Sequence, residues 1–299
     1  MREIALGASG LAAAWLLLLL GVEPIPTWFY VTAWYPTLLL LDGVASELAR
    51  ERPLLSRPKL AWSLLGWSPV IWLVFEALNF RLETWYYVFL PRPWAERWAG
   101  ILISFATVMP AVVLAARLLE SAKVGIGWQS RPFPLGLPRV EWFVPLGVAA
   151  TALALIWPRY AHPLVWGSFL LITDPIVYRK APQWSILADL EHGRLGRVGR
   201  LMLGGLGIGL LWELYNHGAR GKWIYTVPWL EELKWFEMPP LGFLGFPFFS
   251  LEAWSMYHAL SALGVAVPAS TEKPDSAFRP IRGLLAGALA AGVSIAVLW

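Results

Sequence analysis

Apolar residues along the chain gather in long uninterrupted runs, with neither the 3.6-residue rhythm of a surface helix nor the two-residue alternation of a half-buried strand. Runs of roughly 15 to 23 residues fall at about 4–21, 28–48, 60–80, 98–119, 142–157, 161–177, 199–216, 241–263 and 283–299. A helix rising ~1.5 Å per residue needs about 20 such residues to cross ~30 Å of hydrocarbon. The pattern therefore predicts an all-α fold, a polytopic transmembrane helical bundle of about nine helices. Composition agrees: 58% of residues are hydrophobic, 15% are charged and cysteine is absent, at a mean hydropathy of +0.56. These values exclude a soluble enzyme of this size, a disordered chain and a disulfide-stapled scaffold.

Charge then orients the bundle. The net charge of +4 rests on 24 Lys and Arg, which sit in the connections between runs rather than in one patch, so no nucleic-acid partner is expected. With the N-terminus cytoplasmic, 17 of them fall on the cytoplasmic side and 7 opposite, which predicts a cytoplasmic N-terminus and an outside C-terminus. The first run follows Arg2 as a secretory signal would. GVEPIP at 21–26 offers no small-residue cleavage site, so the run is read as a helix. Many of the 20 tryptophans lie near run ends (Trp28, Trp85, Trp94, Trp98, Trp142, Trp157, Trp223, Trp229, Trp235) and read as interfacial belts.

Self-similarity organises the chain. Trp34 and Asp42 recur as Trp166 and Asp174 at an offset of 132, and Glu76 and Asn79 as Glu213 and Asn216 at 137. Trp85 and Tyr87 recur as Trp223 and Tyr225 at 138, and Pro91 and Pro110 as Pro228 and Pro247 at 137. The division that follows is a first four-helix repeat at 1–125, a cytoplasmic linker at 126–141, a second four-helix repeat at 142–265, and a linker with the ninth helix at 266–299. An even number of helices per repeat makes the two units parallel, related by an axis near the membrane normal, with ligand sites expected between them.

Five carboxylates fall inside predicted spans: Asp42, Glu76, Asp174, Glu213 and Glu252. At membrane depth each costs at least ~2.5 kcal/mol, so each is a candidate for function. Glu76 and Glu213 form an outer pair, while Asp42, Asp174 and Glu252 lie roughly 18 to 21 Å below the outer surface at ~1.5 Å per residue. Glu252 has Ala115 as its counterpart in the first half, so the second half is the better equipped chemically. Glu-x-x-Asn spacing places Glu213 with Asn216, and Glu76 with Asn79, on one helix face, where the amide can orient the acid or tie the helix to the outer loop. His162, His192, His217 and His258 form no i, i+4 ligand pair, and no metal or cofactor is expected. Gly205 and Gly209 in LMLGGLGIGL read as a smooth helix face for a close neighbour, not as a phosphate loop.

The stretch WELYNHGARGKWIYTVPWLEELKWFEMPPLGFLGFPFFSLEAWSMY at 212–257 resembles a bacterial family of multi-pass membrane proteins to which no activity is attached. More remotely, a Glu near a helix end (Glu213), an outer loop closing on Tyr225-Thr226 and a Pro240-Leu241 helix entry are similar to the layout of integral-membrane carotenoid hydratases and two-repeat lycopene cyclases. Those cyclases usually carry adjacent acids after a Pro, where this chain has Met238-Pro239-Pro240-Leu241 with Glu237 before and Glu252 well after. The resemblance implies a bacterial inner-membrane protein whose pocket takes a lipid or isoprenoid ligand. As an enzyme it would be acid-catalysed, a cyclase, hydratase or isomerase in which Glu213, with Asp174 and Glu252 as further acids, protonates a C=C bond and Asn216 orients the acid. Trp212, Trp223, Tyr225, Trp254, Glu76, Asn79 and Asp42 would contact the substrate. The alternative is a non-catalytic accessory subunit that packs lipid, pigment or quinone beside partner membrane subunits. A proton-coupled transporter ranks lower, because no interrupted helix pair is visible in the sequence.

Overall fold

The computed structural model describes residues 1–227 and 232–269. The ninth predicted helix, and with it Pro228 and Trp229, lies outside the described residues. The chain is mostly helical: α1 (Arg2–Leu19), α2 (Phe29–Ala49), α3 (Pro58–Leu82), α4 (Trp94–Phe105), α5 (Val108–Ser121), α6 (Gly136–Glu141), α7 (Phe143–Ile156), α8 (Pro158–Ala161), α9 (Val165–Lys180), α10 (Ile186–Glu191), α11 (Gly196–Gly218) and α12 (Gly245–Ala262). The run predicted at 98–119 is divided between α4 and α5. Ser68 of α3 marks the break, donating to Phe105 O at 2.5 Å and accepting from Met109 N at 2.9 Å.

Among the described residues, four segments are long and apolar enough to cross a membrane: Arg2–Leu19, Pro58–Leu82, Trp94–Ser121 and Gly136–Ile156. The remaining predicted runs fall on α2, α9, α11 and α12, which are shorter or more polar. These are the helices that carry Asp42, Asp174, Glu213 and Glu252.

In the first half α1 packs on α2, and α2 and α3 pack on α5; in the second α7 packs on α9, and α9 and α11 pack on α12. The halves meet where α11 crosses α5 and α2. Gly205 and Gly209 make the α11–α12 approach possible. A Cβ on Gly205 would stand 2.7 Å from Phe246 O, and one on Gly209 2.2 Å from the Phe246 ring.

Two short strands, β1 (Trp85–Val88) and β2 (Lys222–Tyr225), pair antiparallel. Trp85 lies opposite Tyr225 and Tyr87 opposite Trp223. Thus two tryptophans expected at the membrane surface are drawn into the protein: Trp85 is buried and Trp223 half-buried, whereas Trp94, Trp142, Trp157 and Trp235 stay exposed. Strand pairing between two loops far apart in sequence has no signature in hydropathy.

The helix containing Asp174 is interrupted. Trp166 (ψ 93°) and Gly167 (φ 119°, ψ −17°) leave helical geometry inside α9, and only glycine holds such a φ without strain. The freed amides meet Glu252 of α12, whose Oε1 accepts from Phe169 N at 2.7 Å. An interruption not visible in the sequence therefore exists, closed by an acid from the neighbouring helix.

Candidate functional site

The five acids of the predicted spans separate into anchors and a matched pair. Asp42 accepts from Leu54 N (2.9 Å), Leu55 N (2.7 Å) and Arg117 Nη1 (2.7 Å). Asp174 accepts from Ile186 N (3.1 Å), Leu187 N (2.8 Å) and the Ser185 hydroxyl (2.5 Å). Each carboxylate pins the chain segment that follows its own helix, to amides at matching positions 132 residues apart. Arg117 is the partner missed in the sequence, since at the end of the run 98–119 it reads as one of the cytoplasmic charges yet is only 6% exposed. Trp254 stands at the inner end, its indole donating to Trp184 O at 2.9 Å and its ring 3.9 Å from that of His258.

Both asparagines serve the outer strands. Asn79 donates to Trp85 O (2.7 Å) and accepts from Thr84 N (2.9 Å); Asn216 donates to Trp223 O and accepts from Trp223 N, both at 2.9 Å. Asn216 is therefore placed to tie α11 to β2, the second of the two tasks its spacing allows.

Glu76 and Glu213 are treated differently. Glu76 accepts from Trp72 Nε1 (2.8 Å), the Tyr87 hydroxyl (2.5 Å) and Trp85 Nε1 (3.3 Å to each oxygen). Glu213 accepts from the Tyr225 hydroxyl alone, at 3.0 Å. Its Oε2 is buried and, among the described residues, has no hydrogen-bond partner within 3.5 Å, the Trp223 indole being its nearest donor. Position 209, which corresponds to Trp72, is glycine. None of these acids forms an ion pair except Asp42, among the described residues.

A cavity of about 490 Å³ lies where the halves meet. Its walls are aromatic: Trp72 and Phe75 from α3, Trp85 and Tyr87 from β1, Trp166 from α9, Trp212 from α11, Trp223 and Tyr225 from β2, and Phe246 and Phe249 from α12. Phe75 stacks on Trp166 (5.6 Å, 15°) and meets Phe249 edge-on (5.5 Å), while Trp72 and Trp212 contact Phe249 at 5.5 and 5.8 Å. Of the sequence candidates, Trp212, Trp223 and Tyr225 line this space. Glu76 and Glu213 stand one layer behind it, each bonded to a lining tyrosine. Glu76 and Asn79 instead border a second cavity of about 630 Å³ shared with Trp85, Tyr87 and Trp98. Asp42, Asp174, Glu252 and Trp254 line neither cavity.

Trp72, Phe75, Tyr87, Trp166 and Phe249 were not singled out as site residues from sequence. Trp72 carried a signal in its Trp-x-x-x-Glu spacing to Glu76, and Tyr87 in its pairing with Tyr225 across the halves. The others are indistinguishable from ordinary span residues. No family model, curated protein or solved structure matches the chain.

Proposed function

We propose that the chain is a multi-pass bacterial inner-membrane protein that holds a long apolar, isoprenoid- or carotenoid-like ligand in the aromatic cavity between two tandem four-helix repeats. The N-terminus is cytoplasmic, as the distribution of Lys and Arg implies. The cavity carries this reading: three α-helices, two strands and the interrupted helix each contribute rings to one largely apolar space, the composition expected of a lipophile site. Duplication is supported by the matched anchors of Asp42 and Asp174, by the matched Asn79 and Asn216 bonds, and by the pairing of Trp85 with Tyr225 and Tyr87 with Trp223. A strand pair in which each residue type faces the other's counterpart is what a two-fold axis along the membrane normal produces.

Acid-catalysed cyclisation, hydration or isomerisation is the chemistry this site would perform, with Glu213 as the acid and the surrounding π faces stabilising cationic charge. The accessory-subunit reading is favoured by one observation: no carboxylate borders the aromatic cavity directly, so a ligand there meets Tyr225 before Glu213. The test is absorption and mass spectrometry of lipids extracted from the mildly solubilised protein, comparing wild type with Glu213→Gln, Glu252→Gln and Phe249→Ala. An isoprenoid that is retained by wild type and lost or chemically altered in Phe249→Ala and Glu213→Gln, but unchanged in Glu252→Gln, is the expected result. Ordinary phospholipid in all four would overturn the ligand assignment and direct attention to partner subunits.

A further inference from the structure

The second cavity, of about 630 Å³, is chemically unlike the first. Two acids, Glu76 and Glu83, border it, and no Lys, Arg or His is among its lining residues. Glu76 is only 9% exposed and takes part in no ion pair among the described residues. Its hydrogen bonds come from the Trp72 and Trp85 indoles and the Tyr87 hydroxyl, all neutral groups. Indole N–H groups only donate, which matches an ionised, acceptor-only carboxylate. The hydrogen-bonding capacity of Glu76 is thus met while its charge is not balanced, and a buried charge without a partner of opposite sign is costly. Most of the remaining wall is aromatic, with Trp85, Tyr86, Tyr87 and Trp98 bordering the same space.

We propose that the second cavity is a binding site for a quaternary ammonium group, whose charge is balanced by Glu76 and, at the exposed rim, by Glu83, and whose methyl groups lie against the aromatic wall. Ring faces attract cations, and an alkylated ammonium offers both the charge and the apolar surface that such a wall takes. It also needs no acceptor of its own, which suits a carboxylate whose hydrogen bonds are already made. An inorganic cation fits poorly: it requires a shell of oxygen ligands, and the described residues contain no acidic or histidine cluster able to hold a metal ion. An anion would meet two acids and no basic residue. The cavity shares the Trp85 and Tyr87 wall with the aromatic cavity but is lined separately, so the inference does not depend on what the aromatic cavity holds. The same chemistry is carried by a choline lipid headgroup and by a free quaternary ammonium solute.

The test is equilibrium binding of radiolabelled choline to the full-length protein in phosphatidylglycerol nanodiscs, competed with unlabelled choline and with dimethylbutanol, its uncharged analogue in which carbon replaces the nitrogen. Wild type should bind choline at least about tenfold more tightly than the analogue, the difference a nearby buried carboxylate makes. Glu76→Gln should weaken choline by about tenfold or more and leave the analogue within about twofold. Glu83→Gln and Tyr86→Leu, at exposed positions, should each weaken choline about threefold, and they serve if the Glu76 variant does not fold. Choline binding that falls when phosphatidylcholine replaces part of the phosphatidylglycerol supports the site with a lipid headgroup as its occupant; binding that does not fall supports it with a free solute. No choline binding to wild type, or equal affinity for choline and its analogue, would overturn the ammonium site. A choline preference unchanged in all three variants would overturn its assignment to this cavity.

Discussion

Glutamine substitutions at Glu76 and Glu213 should have unequal consequences for stability, although the positions are matched. At Glu76, three donors converge: Trp72 at 2.8 Å, Tyr87 at 2.5 Å and Trp85 at 3.3 Å. Glu76→Gln converts the retained bonds from charge-assisted to neutral, a loss of about 1 kcal/mol each, and turns an amide NH₂ toward one of the donors, which costs a further ~1–3 kcal/mol. The sum is roughly 3–5 kcal/mol. At Glu213 a glutamine keeps the Tyr225 bond through its carbonyl and replaces an unpaired oxygen by an unpaired NH₂, so the change is about 0–1 kcal/mol. Thermal unfolding of the detergent-solubilised protein, followed by near-ultraviolet circular dichroism, compares the two directly. Glu76→Gln should melt well below Glu213→Gln, by roughly 2 °C or more for each kcal/mol of difference. Equal melting temperatures, or a larger loss at Glu213, would refute the claim that the first half-site is a closed structural network and the second an open one.

Two further outcomes follow from the anchors Asp174 and Asp42, and a third from Glu191. Asp174→Ala removes the acceptor of Ile186 N, Leu187 N and the Ser185 hydroxyl, and should destabilise by about 3–5 kcal/mol while leaving ligand content per folded molecule unchanged; loss of ligand without loss of stability would return Asp174 to the site. Asp42→Asn or Arg117→Met alone leaves a buried group unpaired and should each cost about 3–5 kcal/mol, whereas the double variant should recover a good part of the loss in a double-mutant cycle. Outside the spans, the Tyr178 hydroxyl and Gly136 N donate to Glu191 and hold its carboxyl below the usual glutamate range. Its stabilising contribution is therefore complete above about pH 4.5 and lost as pH falls through the lower folded value; Glu191→Gln should flatten that acid limb of the stability profile.

The helices were legible because long apolar runs bounded by polar residues are a pattern that a one-dimensional sequence records. The predicted starts and ends of α1, α2, α3, α7 and α11 lie within a few residues of the observed ones. Breaks were not legible. The α4–α5 break depends on Ser68, 37 and 41 residues distant from its two backbone partners, and the α9 interruption is capped by Glu252 from another helix. The acids were found because charge inside an apolar run is conspicuous, but their occupations were not. Asp42 and Asp174 stand where loop amides need acceptors, a need that only the folded path of the loop creates.

What the sequence determined by itself was the set of apolar runs, the buried acids and the fixed offsets between halves, all properties of residue order that any packing must respect. The tertiary structure decided which acid is saturated and which is left open. That depends on whether a side chain four residues earlier is Trp72 or Gly209, on Phe246 of another helix filling the gap, and on two distant loops pairing as strands so that Trp85, Tyr87, Trp223 and Tyr225 wall one cavity. Such outcomes follow from three-dimensional contact between segments remote in sequence, where hydrogen-bond directionality and close packing decide matters that hydropathy does not register.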